Sequence, residues 1–170
     1  NHASALSGFN TARWVKSIGG SIPIVFICED NGYGISVPTP KNWIRNTFSN
    51  QENLKYFHCD GLNLFDTINK TQEVQEYCRS KRSPVFLHMK TVRLMGHAGS
   101  DIESSYLSMS DIEGAEKNDP LLHSARILIN DRILSSDEIL DLYEKTRTRI
   151  QYGIEKSTTR PRLDEASDIM

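Results

Sequence analysis

Residues 22–36 read IPIVFICEDNGYGIS. The first part, up to Glu29, is a nearly unbroken run of β-branched and aromatic residues, as expected of a strand buried on both faces. It then stops in two acids, an amide and two glycines that bracket a tyrosine. A chain reversal needs only one or two residues of this kind. The excess of polar groups at a strand end raises the question of a site.

The flanking sequence supplies the frame. Ala5, Leu6, Phe9, Ala12 and Val15 make an apolar stripe at helical spacing, which Gly19 and Gly20 break. After the strand, Pro38, Pro40 and the polar residues to Asn50 predict a long loop. YFHCDG, residues 56–61, predicts a second strand. In residues 63–82 the apolar positions 64, 65, 68, 74 and 78 predict a helix, with Arg79, Lys81 and Arg82 in its last turn to suit the helix dipole. SPVFLHMKTV, residues 83–92, predicts a third strand. Helix and strand in alternation predict an α/β fold, a parallel sheet with flanking helices.

From residue 94 the pattern changes. LMGHAGSDIESSYLS, residues 94–108, has two glycines, four serines and no periodicity, so it predicts an exposed loop leaving the third strand. Ligands of parallel α/β sheets bind outside the carboxyl ends of the strands. Both this loop and the EDNGYGIS segment start there. Farther on, Ser110 with Glu113 and Ser135 with Glu138 have the spacing of capping boxes, the second ahead of a helix that continues to about Lys156. The reading divides the chain into a domain over residues 1–158 and a polar tail or linker over 159–170. Asn1 at the start, inside a helix-like segment, leads to the expectation that the domain lacks its N-terminal part.

Composition excludes several classes. The 170 residues are 38% hydrophobic and 25% charged, enough for one respectable core, and the formal charge is −2. Lys and Arg are scattered, so nucleic acid is not expected as a partner. Nor is a membrane, since no apolar run approaches the roughly 20 residues of a spanning helix. Cys28, Cys59 and Cys78 lie far apart without a CxxC pair, a pattern of reduced interior thiols in a cytoplasmic or organelle-matrix protein.

Asn31 offers a neutral amide oxygen just past a strand end, and the flanking glycines let a main-chain carbonyl turn toward the same point. Two such oxygens suit a hard cation that already rides on a phosphate, because Mg²⁺ takes few protein ligands. The residues also fit a plain turn, which Asp, Asn and Gly form for backbone reasons alone.

The combination of NHASALSGFN with CEDNGYGIS resembles the second half of the thiamine diphosphate motif in the alpha part of 2-oxo acid dehydrogenase E1 components. That motif opens on G-D-G or G-E-G, runs through a helix and closes on a strand followed by N-N-x-Y. Asn1 and Asn10 stand where the family's helix has them. Asp30 replaces the first Asn of the closing pair, and Asn31 keeps the second. The resemblance implies Asn31 and the Tyr33 carbonyl as metal ligands, with Asn31, Tyr33, Gly34, Ile35 and His97 beside the cofactor. VRLMGHAGSDIESSY, residues 92–106, resembles the family's active-site loop. It implies His97 and Arg93 as catalytic groups, an imidazole poised near neutrality and a planar fork for anions, with Asp101 and Tyr106 keeping the loop folded.

The resemblance covers residues 1 to about 156. It implies thiamine diphosphate and Mg²⁺ as cofactors, a 2-oxo acid as substrate, an E1 beta subunit or fused beta domain that brings the activating glutamate, and a lipoyl-bearing E2 acceptor, in a heterotetramer or a homodimer of fused chains. GHAGSD followed by a tyrosine leans to the branched-chain type, with the pyruvate type as the alternative. Ala98 stands where mitochondrial members carry a phosphorylated serine, and Leu107 where branched-chain members have an arginine. About five extra residues separate helix and strand. No residue here matches the acidic metal ligand of the motif's first half, so the isolated chain is expected to be inactive. A scaffold or docking subunit of the same fold is the alternative of another class. His2, at the start of the first helix, is read either as a group approaching the diphosphate or as a cap.

Overall fold

A computed structural model describes residues 2–161 and Ser167, without the side chains of residues 2–4. The side chain of His2 therefore lies outside the described residues. The chain divides into two compact units, Asn1–Ser124 and Ala125–Met170.

In the first unit, β1 (Val25–Asp30), β2 (Lys55–Asp60) and β3 (Val85–Lys90) form a parallel sheet in the order β1-β3-β2. Helices α1 (His2–Ser17), α2 (Trp43–Phe48), α3 (Leu64–Lys81) and α4 (Met109–Glu116) belong to the same unit. The α/β class and the parallel sheet follow the sequence expectation. Register sorts the side chains. Ile27, Leu87 and Phe57 are partners on one face, and Phe26, Phe86 and Tyr56 on the other.

On the first face, Val74 and Cys78 of α3 pack against Phe57, Cys59, Val85 and Leu87. Helix α3 starts where the Asn63 side chain accepts hydrogen bonds from the Phe65 and Asp66 amides, and stops at Arg82, whose φ of 46° is left-handed. The second face is aromatic. Phe9 of α1 meets Phe26, Phe48 and Phe86 edge-on, and Phe48 of α2 stacks on Phe86 with 4.5 Å between centroids. Ring pairs of this kind add to simple burial.

Three expectations are corrected. The strand buried on both faces is β3, and β1 instead alternates, with Ile27 60% exposed. Among the described residues β1 is an outer strand of the sheet, and the core cluster beneath α3 draws on β2 and β3. The loop before β2 contains α2, which enters through Asn42 at a φ of 60° and has no long apolar stripe to announce it. The first capping box joins Ser108 to Asp111 and not Ser110 to Glu113, whereas the Ser135 and Glu138 box forms as expected.

Helix α5 (Pro120–Asn130) crosses the division between the units, and α6 (Ser136–Thr158) belongs to the second. Most of the 159–170 tail lies outside the described residues. Among the described residues no helix is long and apolar enough to cross a membrane. The three cysteines are free, and burial, helped by the nearby Asp30 and Glu29 carboxylates, pushes the Cys28 thiol up to about 11.

This packing predicts that Leu87→Ala, which empties a site 1% exposed, lowers stability by about 2–5 kcal/mol. Ile27→Ala on the exposed margin changes it by about 0.5 kcal/mol or less. Urea unfolding midpoints of the two variants check the contrast, and equal losses would contradict the burial described.

Candidate functional site

Three strands pointing the same way bring their carboxyl ends to one edge, where Asp30, Lys90 and Asp60 are register partners. The turn after β1 and the loop after β3 both leave that edge, beside the short turn that leads from β2 into α3. Both carry the residues singled out in the sequence.

The turn is built from two overlapping side-chain caps. Asp30 Oδ1 accepts the Gly32 amide at 3.0 Å, and Asn31 Oδ1 accepts the Tyr33 amide at 3.0 Å. Gly32 has a φ of 82°, a left-handed conformation that an L side chain resists. Thr39 donates to the Gly32 carbonyl and Gly34 to the Val37 carbonyl, both at 2.8 Å. The Tyr33 carbonyl lies between these bonds and is used by neither.

The loop is tied to the turn by the chain's own groups. Both oxygens of Asp101 are engaged: Ser36 Oγ donates to Oδ1 at 2.9 Å, while the His97 amide at 2.7 Å and the Tyr106 hydroxyl at 2.9 Å donate to Oδ2. Gly96 packs so closely on the Asp101 carbonyl that a Cβ there would collide with it. Arg93 donates from Nη1 to the Ile35 carbonyl and from Nη2 to the Tyr106 hydroxyl at 2.6 Å. Its guanidinium lies 4.9 Å from the Tyr33 ring centroid, and Glu103 and Asp101 each approach it at 3.8 Å.

Asp101 and Tyr106, expected to keep the loop folded, share a hydrogen bond, and Asp101 also accepts the His97 amide. Arg93 is engaged by the chain's own groups. Its side chain is 11% exposed and its fork is taken up by protein oxygens, so it clamps loop to turn and leaves only the buried Nε without a hydrogen bond. His97 holds Asp101 through its backbone, and its side chain is exposed. Gly34 and Ile35 are exposed beside the turn.

Between turn and loop lies a cavity of about 190 Å³ whose lining includes Asn31, Tyr33, Lys90, Arg93, Glu103 and Asp111. Lys90 Nζ comes to 3.8 Å from the place a Cβ on Gly32 would occupy. Among the described residues no three His, Cys, Asp or Glu side chains gather as a metal cage. Asn31 Oδ1, which keeps a second lone pair beside its bond from the Tyr33 amide, and the Tyr33 carbonyl are neutral oxygens. Neutral oxygens beside a lysine ammonium are a donor type suited to a cation that arrives on a diphosphate rather than to a bare ion.

Sequence reasoning missed Lys90, Ser36 and a group of three on the aromatic face. His88 Nε2 is 2.8 Å from Asp30 Oδ2, and His88 Nδ1 is 2.6 Å from the Tyr56 hydroxyl. A lone histidine inside the apolar strand PVFLHM was the available signal, because a buried imidazole needs partners. Burial works to raise the Asp30 carboxyl, but the hydrogen bonds from His88 and the Gly32 amide and the charge of Lys90 hold it below its ordinary value.

The Asp101 carboxyl is also held below its ordinary 3.8, first by the His97 amide, then by the Ser36 and Tyr106 hydroxyls and the Arg93 charge, against a desolvation that raises it. A depressed carboxyl contributes stability that is complete above its unfolded pKa and is lost as pH falls through the folded one. Cleavage within residues 94–108 is therefore expected to be slow at neutral pH and to accelerate only below about pH 4. Asp101→Asn should be cleaved rapidly at every pH. Limited proteolysis with an acid-tolerant and a neutral protease checks this, and a variant as resistant as the parent would contradict the loop's dependence on Asp101.

Residues 1–165 match the family model for the dehydrogenase E1 component. The mitochondrial pyruvate dehydrogenase E1 component subunit alpha of Dictyostelium discoideum is 25% identical over 99% of this chain and 44% of its own length. The testis-specific human form is 27% identical over 95% of the chain and 41% of its own length. The subunit of Rickettsia felis is 24% identical over 97% and 50%. The chain thus spans half or less of the length of these relatives. With a family model matched over nearly its whole length, the chain belongs to the dehydrogenase E1 component family.

Proposed function

We propose that this chain forms the alpha-side wall of a thiamine diphosphate site in a 2-oxo acid dehydrogenase E1 component, of the pyruvate type. The observation that carries the reading is the pair of neutral oxygens at Asn31 and Tyr33, set at the carboxyl end of β1 beside a loop that bears His97 and is bound to the same turn. The names of the relatives support pyruvate over the branched-chain leaning of GHAGSD.

Each residue has a distinct part in this reading. Asn31 Oδ1 and the Tyr33 carbonyl would hold a Mg²⁺ that rides on the diphosphate. Lys90 would add positive charge for that anion, and the exposed Gly34 and Ile35 would lie beside the cofactor. When bound, thiamine diphosphate supplies the electron sink for the charge left at carbon once CO₂ departs. His97 presents an imidazole able to donate or accept a proton near neutral pH at the substrate carboxylate. Arg93 acts through position, because its clamp between Ile35 and Tyr106 sets where His97 stands.

The activating glutamate and the lipoyl acceptor come from elsewhere, from a beta portion and an E2 subunit. The assembly is a heterotetramer or a dimer of fused chains, in a bacterial cytoplasm or an organelle matrix.

Asn31→Ala in the assembled enzyme is expected to weaken thiamine diphosphate binding about tenfold or more, with activity partly restored by excess Mg²⁺ and cofactor. Unchanged cofactor affinity by calorimetry would make Asn31 a turn residue only. The 170-residue chain by itself, given Mg²⁺ and cofactor, is expected to release no CO₂ from pyruvate, and measurable release would contradict the shared site.

A further inference from the structure

The aromatic face of the sheet carries one polar chain that the proposed reaction does not use. Tyr56 of β2, His88 of β3 and Asp30 of β1 come from three different strands and meet side by side, with His88 only 5% exposed. Each end of the imidazole has one partner. The Asp30 carboxylate is the acceptor at Nε2. Burial is the first cause that keeps the Tyr56 phenol above its usual range, so it stays protonated as the donor at Nδ1. The assigned polarity is therefore continuous. Tyr56 donates to His88, His88 donates to Asp30 Oδ2, and the Gly32 amide donates to Asp30 Oδ1.

We propose that His88 is a positioning residue for the cation, because the Tyr56–His88–Asp30 chain fastens the Asp30 carboxylate to the sheet and thereby fixes the turn that presents Asn31 and Tyr33. The inference rests on the reading that those two residues hold Mg²⁺. Gly32 is the freest residue of the turn, and the Asp30 carboxylate is what orients its amide. An Asp30 side chain held at one oxygen only can rotate about its terminal torsion. With His88 on the other oxygen, the carboxylate plane is set by a buried ring in the central strand. The two caps overlap, so the angle of the first passes to Asn31 and the second. Groups one step removed from a metal commonly act in this way, by orienting its ligands.

The test is a Mg²⁺ titration of the assembled enzyme at fixed thiamine diphosphate, read by calorimetry in the absence of substrate. His88→Ala is expected to raise the Mg²⁺ concentration at half-saturation about tenfold or more. His88→Gln, whose amide can donate to Asp30, should recover most of that loss. Tyr56→Phe removes only a hydroxyl, keeps the protein folded, and should give about a threefold rise. Val74→Ala, which weakens the opposite face, should leave half-saturation unchanged while lowering the melting temperature. Half-saturation unchanged in both His88→Ala and Tyr56→Phe would overturn the proposal, as would a rise in Val74→Ala equal to that in His88→Ala. If Asn31→Ala also binds Mg²⁺ and cofactor normally, the underlying reading fails. If Asn31→Ala is impaired and the His88 and Tyr56 variants are not, only the positioning role fails.

Discussion

The parallel pairing of β3 with both of its neighbours is the constraint on which the site depends. It sets Asp30, Lys90 and Asp60 in register at one edge, and the ladder continues one step, as the Thr91 amide donates to the Asp30 carbonyl at 2.9 Å. Arg93 then lies two residues beyond, close enough to reach back to Ile35. A one-residue slip would turn every side chain of β3 to the opposite face. Leu87 would leave the α3 core and His88 would leave Asp30, so stability and site geometry would be lost together.

The two faces of the sheet do different work. The face under α3 is apolar and contains Phe57, Val85 and Leu87. The other combines a cluster of four phenylalanines with the polar chain from Tyr56 to Asp30. Charged groups at its edge are taken out of water only in company. Arg93 and Asp101 have side chains 11% and 9% exposed, and each is met by several donors or acceptors of the turn and loop. Buried charges without such partners are costly, so loss of one member disturbs the others.

Much of this was legible in the chain. The strands, helix α3 and the loop after β3 follow from period and composition, and Asn31, His97 and Asp101 stand in motifs. What escaped depends on distance in space. An apolar run such as IPIVFI suits a central strand, but neighbours decide burial, and among the described residues β1 is an outer strand. Helix α2 has only six residues, too few for a periodic signal. The competition between Ser108 and Ser110 as a helix cap is settled by backbone conformation, with Ser108 extended at a ψ of 155°. The partners of Arg93, Ile35 and Tyr106, could not be read from the chain, the first of them being 58 residues away. His88 meets Tyr56 and Asp30 across 32 and 58 residues, pairings that follow only from the register.

The most direct measurement of the central claim is the location of the cation itself. Crystals of the assembled enzyme with thiamine diphosphate and Mn²⁺ in place of Mg²⁺ would give an anomalous difference peak at the metal. The account places that peak within about 2.5 Å of both Asn31 Oδ1 and the Tyr33 carbonyl. A peak held by other groups, with Asn31 and Tyr33 keeping only their hydrogen bonds within the turn, would contradict it.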